Sequence, residues 1–565
     1  MNALAAFGGN QTAIYQIENM FHAADNLSWI RGKHSLKMGG EFRKFLYQQN
    51  TTGWEAPKFN FTGQFSVRPD ARGALPQGAA AADFMLGHVF RGDSGDGTAF
   101  QDLHTYFLGF FAQDDYRVAK NLTLNFGMRY ELLPSPTDVN GRMQYFDFNA
   151  KQLRRIGEAG ALTRLHPTDR NNFAPRFGFA YTPGGGRTVV RGGYGIYYTT
   201  PYWNDYHFLV WGPPYYSITS VFSDQNRPTL ALDRLFDPFD VAFAWLNSND
   251  TGARNPYVQQ WSFGLQREVT RTLVLEAGYA GSTSKKLSQR KNANPGLIDP
   301  TGTIPIDRRR VYPGLGDILY SYYGGMANYN ALTLKAEKRY SQGYSFLAAY
   351  TFMKALDWGH SDNVAMDGLN TRLEKAISEY NATHRLAISS LYELPFGRGK
   401  GLWNSGIAGR VLEGWQTNAI ITFMSGLPAN VTYAGRTPQV GIYGGVRPNR
   451  IGPGVCSECQ SNIRNSPGLG GYFRTSDFTF PAQYTFGDSV RNAVNAPGLN
   501  NWDISILKTM SIRESHKLQF RAELFNTFNH AQFSGLGTTL GTPTFGSILS
   551  ARTARNIQGA LKYVF

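Results

Sequence analysis

The chain has 565 residues, of which 14% are aromatic (31 Tyr and 39 Phe among them) and only 17% charged, with 62 Gly. That mixture favours one large all-β unit over several soluble domains. The net charge of +15 comes from scattered basic residues, the densest run being Arg308, Arg309 and Arg310, so nucleic acid is not the expected partner and polar-face arginines, some near anionic lipid head groups, are.

No stretch approaches the roughly 18 apolar residues of a spanning helix. This excludes a helical membrane protein but not a β-barrel, whose signal per strand is weaker. The opening "MNALAAFGGNQTAIYQ" has no Lys or Arg before a short apolar run and does not make a secretory signal. Either the protein stays in the cytoplasm or residue 1 is not the true start. Residues 1–14 read as a partial loop, and the first strand is expected at 15–30.

Strands follow in alternation with connections of two sizes. Strand 15–30 joins 33–48 through "RGK", and 106–118 joins 121–132 through "AKN". In "NLTLNFGMRYEL", Leu122, Leu124, Phe126, Met128, Tyr130 and Leu132 fall on one face and Thr123, Asn125, Gly127, Arg129 and Glu131 on the other, a period of two. Later strands turn through "TPGGGR", "TRT", "SQG" and "RES" at 513–515. Long segments alternate with these turns: roughly 49–104, 133–172, 200–257, 282–328, 354–382 and 425–500. Strands of about 10 residues, short turns and long loops in strict alternation are the pattern of an outer-membrane barrel, with the short turns periplasmic. One link, "PFGRGKGLWNSGIAGR", is intermediate and falls where a periplasmic turn belongs.

The last strand alternates to its end, with Ile557, Gly559, Leu561, Tyr563 and Phe565 on one face. Tyr563 and Phe565 are expected at the periplasmic rim, in an aromatic girdle, and closure of a barrel requires this strand to pair along its length. A terminal Phe in this phase also resembles the signal read by outer-membrane assembly machinery. Counting gives about fifteen strands, the first descending. A barrel with both ends periplasmic has an even number, so strands are expected to be missing before residue 1.

Several phrases now match one family. "HSLKMGGEFRK", "FFAQDDYRVAKNLTLNFGMRYE", "NPYVQQWSFGLQREV", "YNALTLKAEKRYSQGYSFLAAYTFMKALD", "HRLAISSLYELPFGRGKG" and "LQFRAELFNTFNHAQF" resemble the barrel of Oar-like TonB-dependent receptors, from about residue 30 onward. The resemblance implies a plugged barrel of roughly 22 strands, driven by TonB through a box before the plug. By that measure the plug domain is absent and about seven barrel strands are wanting, leaving 15–565 as the C-terminal part of the barrel, all-β, antiparallel and transmembrane. TonB would act only through the missing region.

No catalytic constellation is present: there is no HExxH, GxSxG or GxxxxGK[ST]. No enzyme activity and no cofactor are expected. "RGDSGDG", with Asp93 and Asp96, reads as a weak calcium loop or, preferably, a solvated turn. His384 and Arg385 read as a strand entering the membrane. Cys456 and Cys459 offer two ligands where a structural zinc needs four, so a disulfide in an exposed loop is the favoured reading. "TTPYWNDYHFLVWGPPYY" gathers Tyr202, Trp203, Tyr206, Trp211, Tyr215 and Tyr216 in a Pro-Gly frame. Such a platform suits sugar rings or apolar peptide groups; the favoured alternative is that these rings pack the loop. The expected function is outer-membrane import of an external ligand in a Gram-negative cell. The second reading is an adhesion barrel holding a partner with loops 200–257 and 425–500. Expected partners are outer-membrane lipid, lipopolysaccharide and the barrel assembly machinery.

Overall fold

A computed structural model describes residues 13–52, 58–61, 63, 65–66, 80–199, 203–223, 228–231, 243–244, 246–301, 303–304, 306–359, 364–433, 440–441, 445–461, 471–482, 484–512 and 516–565. Its frame is fifteen long strands: β1 (Ala13–Arg31), β2 (His34–Thr52), β3 (Ala99–Ala119), β4 (Leu122–Leu132), β5 (Phe173–Tyr181), β6 (Thr188–Tyr198), β7 (Tyr257–Thr270), β8 (Leu273–Asn292), β9 (Ile318–Ser341), β10 (Tyr344–Asp357), β11 (His384–Glu393), β12 (Trp415–Met424), β13 (Leu499–Ser511), β14 (Lys517–Phe525) and β15 (Asn556–Val564). Each pairs antiparallel with the next in chain order. Three short strands, Thr137–Asp138, Leu246–Asn249 and Ala376–Ile377, join them in an 18-stranded sheet.

Alternation decides the faces, because register partners lie on the same side of a sheet. Phe126 is opposite Phe177, which is opposite Tyr194, which is opposite Trp261. This outer face is apolar and uncovered: Phe110 is 55% exposed, Phe126 46% and Phe263 51%. No second layer of described residues packs on it, so the apolar side is suited to hydrocarbon, and charges at the middle of the wall, such as Glu41, Arg43, Arg129 and Glu131, lie on the opposite side. The tight turns follow hairpin chemistry: Gln342 and Gly343 between β9 and β10 both have positive φ, 54° and 79°, as the twist of a two-residue turn demands. The turn expected at 513–515 lies outside the described residues.

Among the described residues β15 pairs with β14 on one side only, and β1 only with β2, so the sheet has two open edges. One expectation changes: "RGDSGDG" is a strand, Arg91–Gly97, not a solvated turn. It pairs with Lys58–Asn60 and Tyr216–Phe222, and Asp93 is 3% exposed. Its carboxylate takes Arg91 Nε at 2.7 Å, and partnering of this kind is what allows an acid to be buried.

Candidate functional site: the inner wall and the loop crown

The inner face is assembled from the polar half of each alternating strand. On β2 and β4, Glu41, Arg43, Arg129 and Glu131 form one cluster: Arg43 Nη2 lies 2.6 Å from Glu41 Oε2, Arg129 Nε 2.5 Å from Glu131 Oε1, and Arg129 also reaches Glu41. His22 of β1 stands 3.4 Å from Glu41. Phe107 of β3 lies beneath both guanidinium groups, at 5.3 Å and 5.8 Å, a cation–π arrangement. Further round, Arg176 covers the ring of Tyr197 at 4.6 Å, and Arg191 pairs with Glu276 at 2.5 Å. A hollow of about 610 Å³ opens here, lined by Gln113, Asn125, Arg176, Tyr197, Gln260 and Tyr329 among others. The more exposed pair Arg191–Glu276 adds little stability, but with the less exposed Glu41–Arg129–Glu131 cluster it makes a wall of fixed donors and acceptors facing the interior.

At the other end the long loops interlock into a crown. The helix Trp203–His207 sends the carboxylate of Asp205, 0% exposed, among Ser288 Oγ at 2.5 Å, Ser321 Oγ at 3.0 Å, Tyr323 Oη at 3.1 Å and Arg290 Nη2 at 3.4 Å. These residues belong to the outer extensions of β8 and β9, so one buried acid fastens loop 199–256 to the wall. A charge can be buried only when paired and hydrogen-bonded in this way. Flanking it, His166 Nε2 lies 3.1 Å from Tyr206 Oη, and the ring nitrogens of His207 lie 2.9 Å and 3.3 Å from the Gln101 and Gln49 amides. Burial pushes both imidazoles down to about 4, helped at His207 by the neighbouring Arg290 charge, so both are neutral near pH 7.

A second fastening joins loop 425–498 to β10 and the following loop. Arg447 grips Glu374 with two bonds of 3.2 Å and 2.7 Å, while Arg491 donates to the Glu374 carbonyl at 3.0 Å and pairs with Asp357. Arg447 is 3% exposed, Glu374 6% and Arg491 7%. A third centres on Asp317, which accepts from Arg310 at 2.6 Å and Asn292 at 2.7 Å. None of these nodes is legible as a motif. Glu374 and Arg447 are 73 positions apart in sequence, and only the fold brings them together.

Of the aromatic platform, Tyr206 and Tyr216 are 2% and 1% exposed and sit in a loop core with Leu103, Met143, Leu165 and Leu209. Both rings are packed into that core. Trp211 is half-buried, its ring set edge-on to Tyr216 at 5.3 Å. Tyr215 is half-buried; its hydroxyl accepts from Arg155 Nη1 at 3.1 Å, and its ring lies 5.0 Å from Arg142. Trp203 opens the helix, and Tyr202 lies outside the described residues. Cys456 and Cys459 form a disulfide with a Cα–Cα distance of 5.2 Å; they are 8% and 0% exposed, a buried clasp rather than an exposed one. His384 opens β11, its Nδ1 2.8 Å from Tyr350 Oη. Arg385 follows it in the same strand, in register with Met424. Tyr563 is on the outer face opposite Leu518, 51% exposed, its ring 5.9 Å from that of Phe565. Among the described residues no group of three or more His, Cys, Asp or Glu is placed to hold a metal ion.

An antiparallel wall with a lipid-facing apolar side, a charged interior and a fastened crown of long loops defines an outer-membrane β-barrel protein of a Gram-negative cell. Residues 2–558 match the outer membrane beta barrel domain, and the chain belongs to that family. Among solved structures it is similar to the outer membrane transporter YddB from Escherichia coli, at 10% identity and a TM-score of 0.51, covering 98% of this chain and 55% of that one. It is also similar to the ferripyoverdine receptor of Pseudomonas aeruginosa, at 11% identity and a TM-score of 0.45, covering 98% of this chain and 49% of that one. At such identities the likeness is one of fold, and the chain spans about half the length of these structures. No curated protein matches it.

Proposed function

We propose that this chain is the barrel part of an Oar-like TonB-dependent receptor, which imports an external ligand across the outer membrane. The observation that carries the reading is the inner wall. Fixed charges such as Glu41, Arg43, Arg129 and Glu131 face the interior rather than lipid, as they would if a polar plug domain stood there. The open edges of β1 and β15 fit the same reading: in hydrocarbon every backbone group needs a partner, and about seven further strands would supply them. TonB would then act through the plug, not through these strands. Trp211 and Tyr215, half-buried in the crown, together with Tyr202 and Trp203, are the aromatic residues proposed to meet a sugar or peptide; Tyr563 and Phe565 are the proposed contact for the assembly machinery. The chain has no proposed catalytic role and no proposed cofactor.

Sequencing the DNA upstream of residue 1 tests this directly. A plug-coding region and a TonB box in frame are expected. A signal peptide running straight into strands that close a small barrel would overturn the importer and leave the adhesion reading. Uptake by cells with and without the gene, measured before and after collapse of the proton gradient, separates import from surface binding.

A further inference from the structure

The connection 394–414 between β11 and β12 is longer than its neighbours at the short-turn end, and it is folded. Leu402 N–H donates to Pro395 O at 3.1 Å and Gly397 N–H to Leu402 O at 3.0 Å, while the rings of Phe396 and Trp403 stack at 5.1 Å. A Cβ on Gly397 would stand 2.4 Å from the Glu413 backbone, so the "GRGKG" stretch lies tight against the start of β12. Within it is the helix Gly406–Leu412.

The helix is tied to the lipid side of the wall. Val411 O, near its C-terminal end, accepts from Trp415 Nε1 at 3.2 Å and from Lys508 Nζ. Trp415 and Lys508 are register partners on the same face as Ile421, Ile504, Ile506 and Phe520, the outer apolar face. From this place the segment presents Leu402 at 52% exposure, Trp403 at 63%, Ile407 at 83% and Val411 at 57%. Ile407 and Val411 lie one helical turn apart and share one stripe, and Trp403, in the bend just before the helix, adds its exposed indole to the same segment. Arg398 and Arg410 are exposed beside it. An apolar stripe with an indole and cationic neighbours, continuous with a surface already covered by hydrocarbon, has the chemistry of the headgroup boundary.

We propose that residues 402–411 are an interfacial anchor: Trp403, Ile407 and Val411 enter the periplasmic leaflet of the outer membrane, and Arg398 and Arg410 hold phospholipid phosphates. The anchor fixes the height of this side of the barrel in the bilayer, independently of what the crown binds.

The full chain carrying Ile407→Cys tests it, since Cys456 and Cys459 are already bonded to each other. The new thiol is labelled with a polarity-sensitive fluorophore, and the protein is reconstituted into phosphatidylethanolamine–phosphatidylglycerol vesicles. A nitroxide carried on the lipid acyl chain is expected to remove most of the emission and aqueous iodide little; a label at Asn404→Cys should respond more to iodide than the label at position 407. Val411→Cys gives the same reading if the first variant does not insert. Labels at 407 and 411 that iodide reaches and lipid nitroxide does not would overturn the anchor. Protection that rises with protein density at fixed lipid would assign the stripe to a second copy and overturn it equally. Replacing Arg398 and Arg410 by Glu should weaken nitroxide quenching in these vesicles and in phosphatidylcholine, since both carry the headgroup phosphate; unchanged quenching in both would remove the phosphate contact.

Discussion

Hydrocarbon contact on the outer face makes a quantitative demand at Phe110. On β3 the outward residues include Asp114, beside His34 at 2.7 Å, and Tyr106, in register with Lys44. Phe110 is midway between these polar ends, four residues from each, and its ring lies against Gly40, where a Cβ would be 3.1 Å away. At about 3.4 Å per residue and a tilt near 40°, four residues correspond to about 10 Å along the membrane normal. The apolar band is about 25 Å tall, so Phe110 is at its centre with Asp114 and Tyr106 just inside its borders. Phe110→Arg should therefore cost about 2 to 4 kcal/mol beyond Phe110→Ala at the same site. Phe126 is a weaker probe than its place in the middle of β4 implies, because it is in register with Asp114. Phe126→Arg measured against Phe126→Ala should cost less than the Phe110 pair. The Ala references remove the packing contribution, including the Phe126–Phe177 ring contact at 5.5 Å. Equilibrium denaturation from liposomes, monitored by tryptophan emission, gives both differences. Equal costs, or values near zero at both sites, would refute the assignment of the outer face to lipid.

Other expectations concern the crown. Glu374→Gln leaves Arg447 buried without its acid, while Arg491 keeps Asp357, and should destabilise the loop assembly by about 3 to 5 kcal/mol; amide exchange across the described residues of loop 425–498 would rise, and unchanged protection would show that the node does not hold the loop. His166 and His207 have folded values of about 4 against about 6.5 when exposed. Between those limits the opened crown binds more protons than the closed one, so stability falls as pH drops below 6.5, by about 2 kcal/mol per histidine at pH 5. Limited proteolysis of the crown should accelerate from pH 7 to pH 5, and a pH-independent rate would contradict the burial of these rings. At Gly426 a Cβ would lie 1.5 Å from Ala496 O, so Gly426→Ala should part Pro428–Ala429 from Val494–Asn495 and raise exchange at the Ala496 amide. Retained protection there would show that the backbone can yield.

Sequence alone determined the wall. Period-two alternation is a local property, and a residue such as Phe126 or Leu561 is assigned its face by its neighbours two positions away, wherever the strand ends up. The rhythm of short turns and long loops likewise set the strand order, because adjacent antiparallel strands need only a turn to meet. Even the odd link at 394–414 stood out by its length. What the sequence did not contain was the burial of loop residues. Tyr206 and Tyr216 read as packing in preference to a ligand platform but with nothing local to decide it, and Asp93 as solvated, because a loop has no period to say which side is inside. Asp205, Glu374 and Arg447 are ordinary charged residues until strands far apart in the chain carry them into one dry place. The odd strand count already pointed to a sheet that does not close on itself, but which backbone edges of β1 and β15 lack a neighbour is a matter of pairing, since alternation specifies only which way a side chain points. Faces are fixed by local covalent geometry; partners are fixed by where the rest of the chain goes.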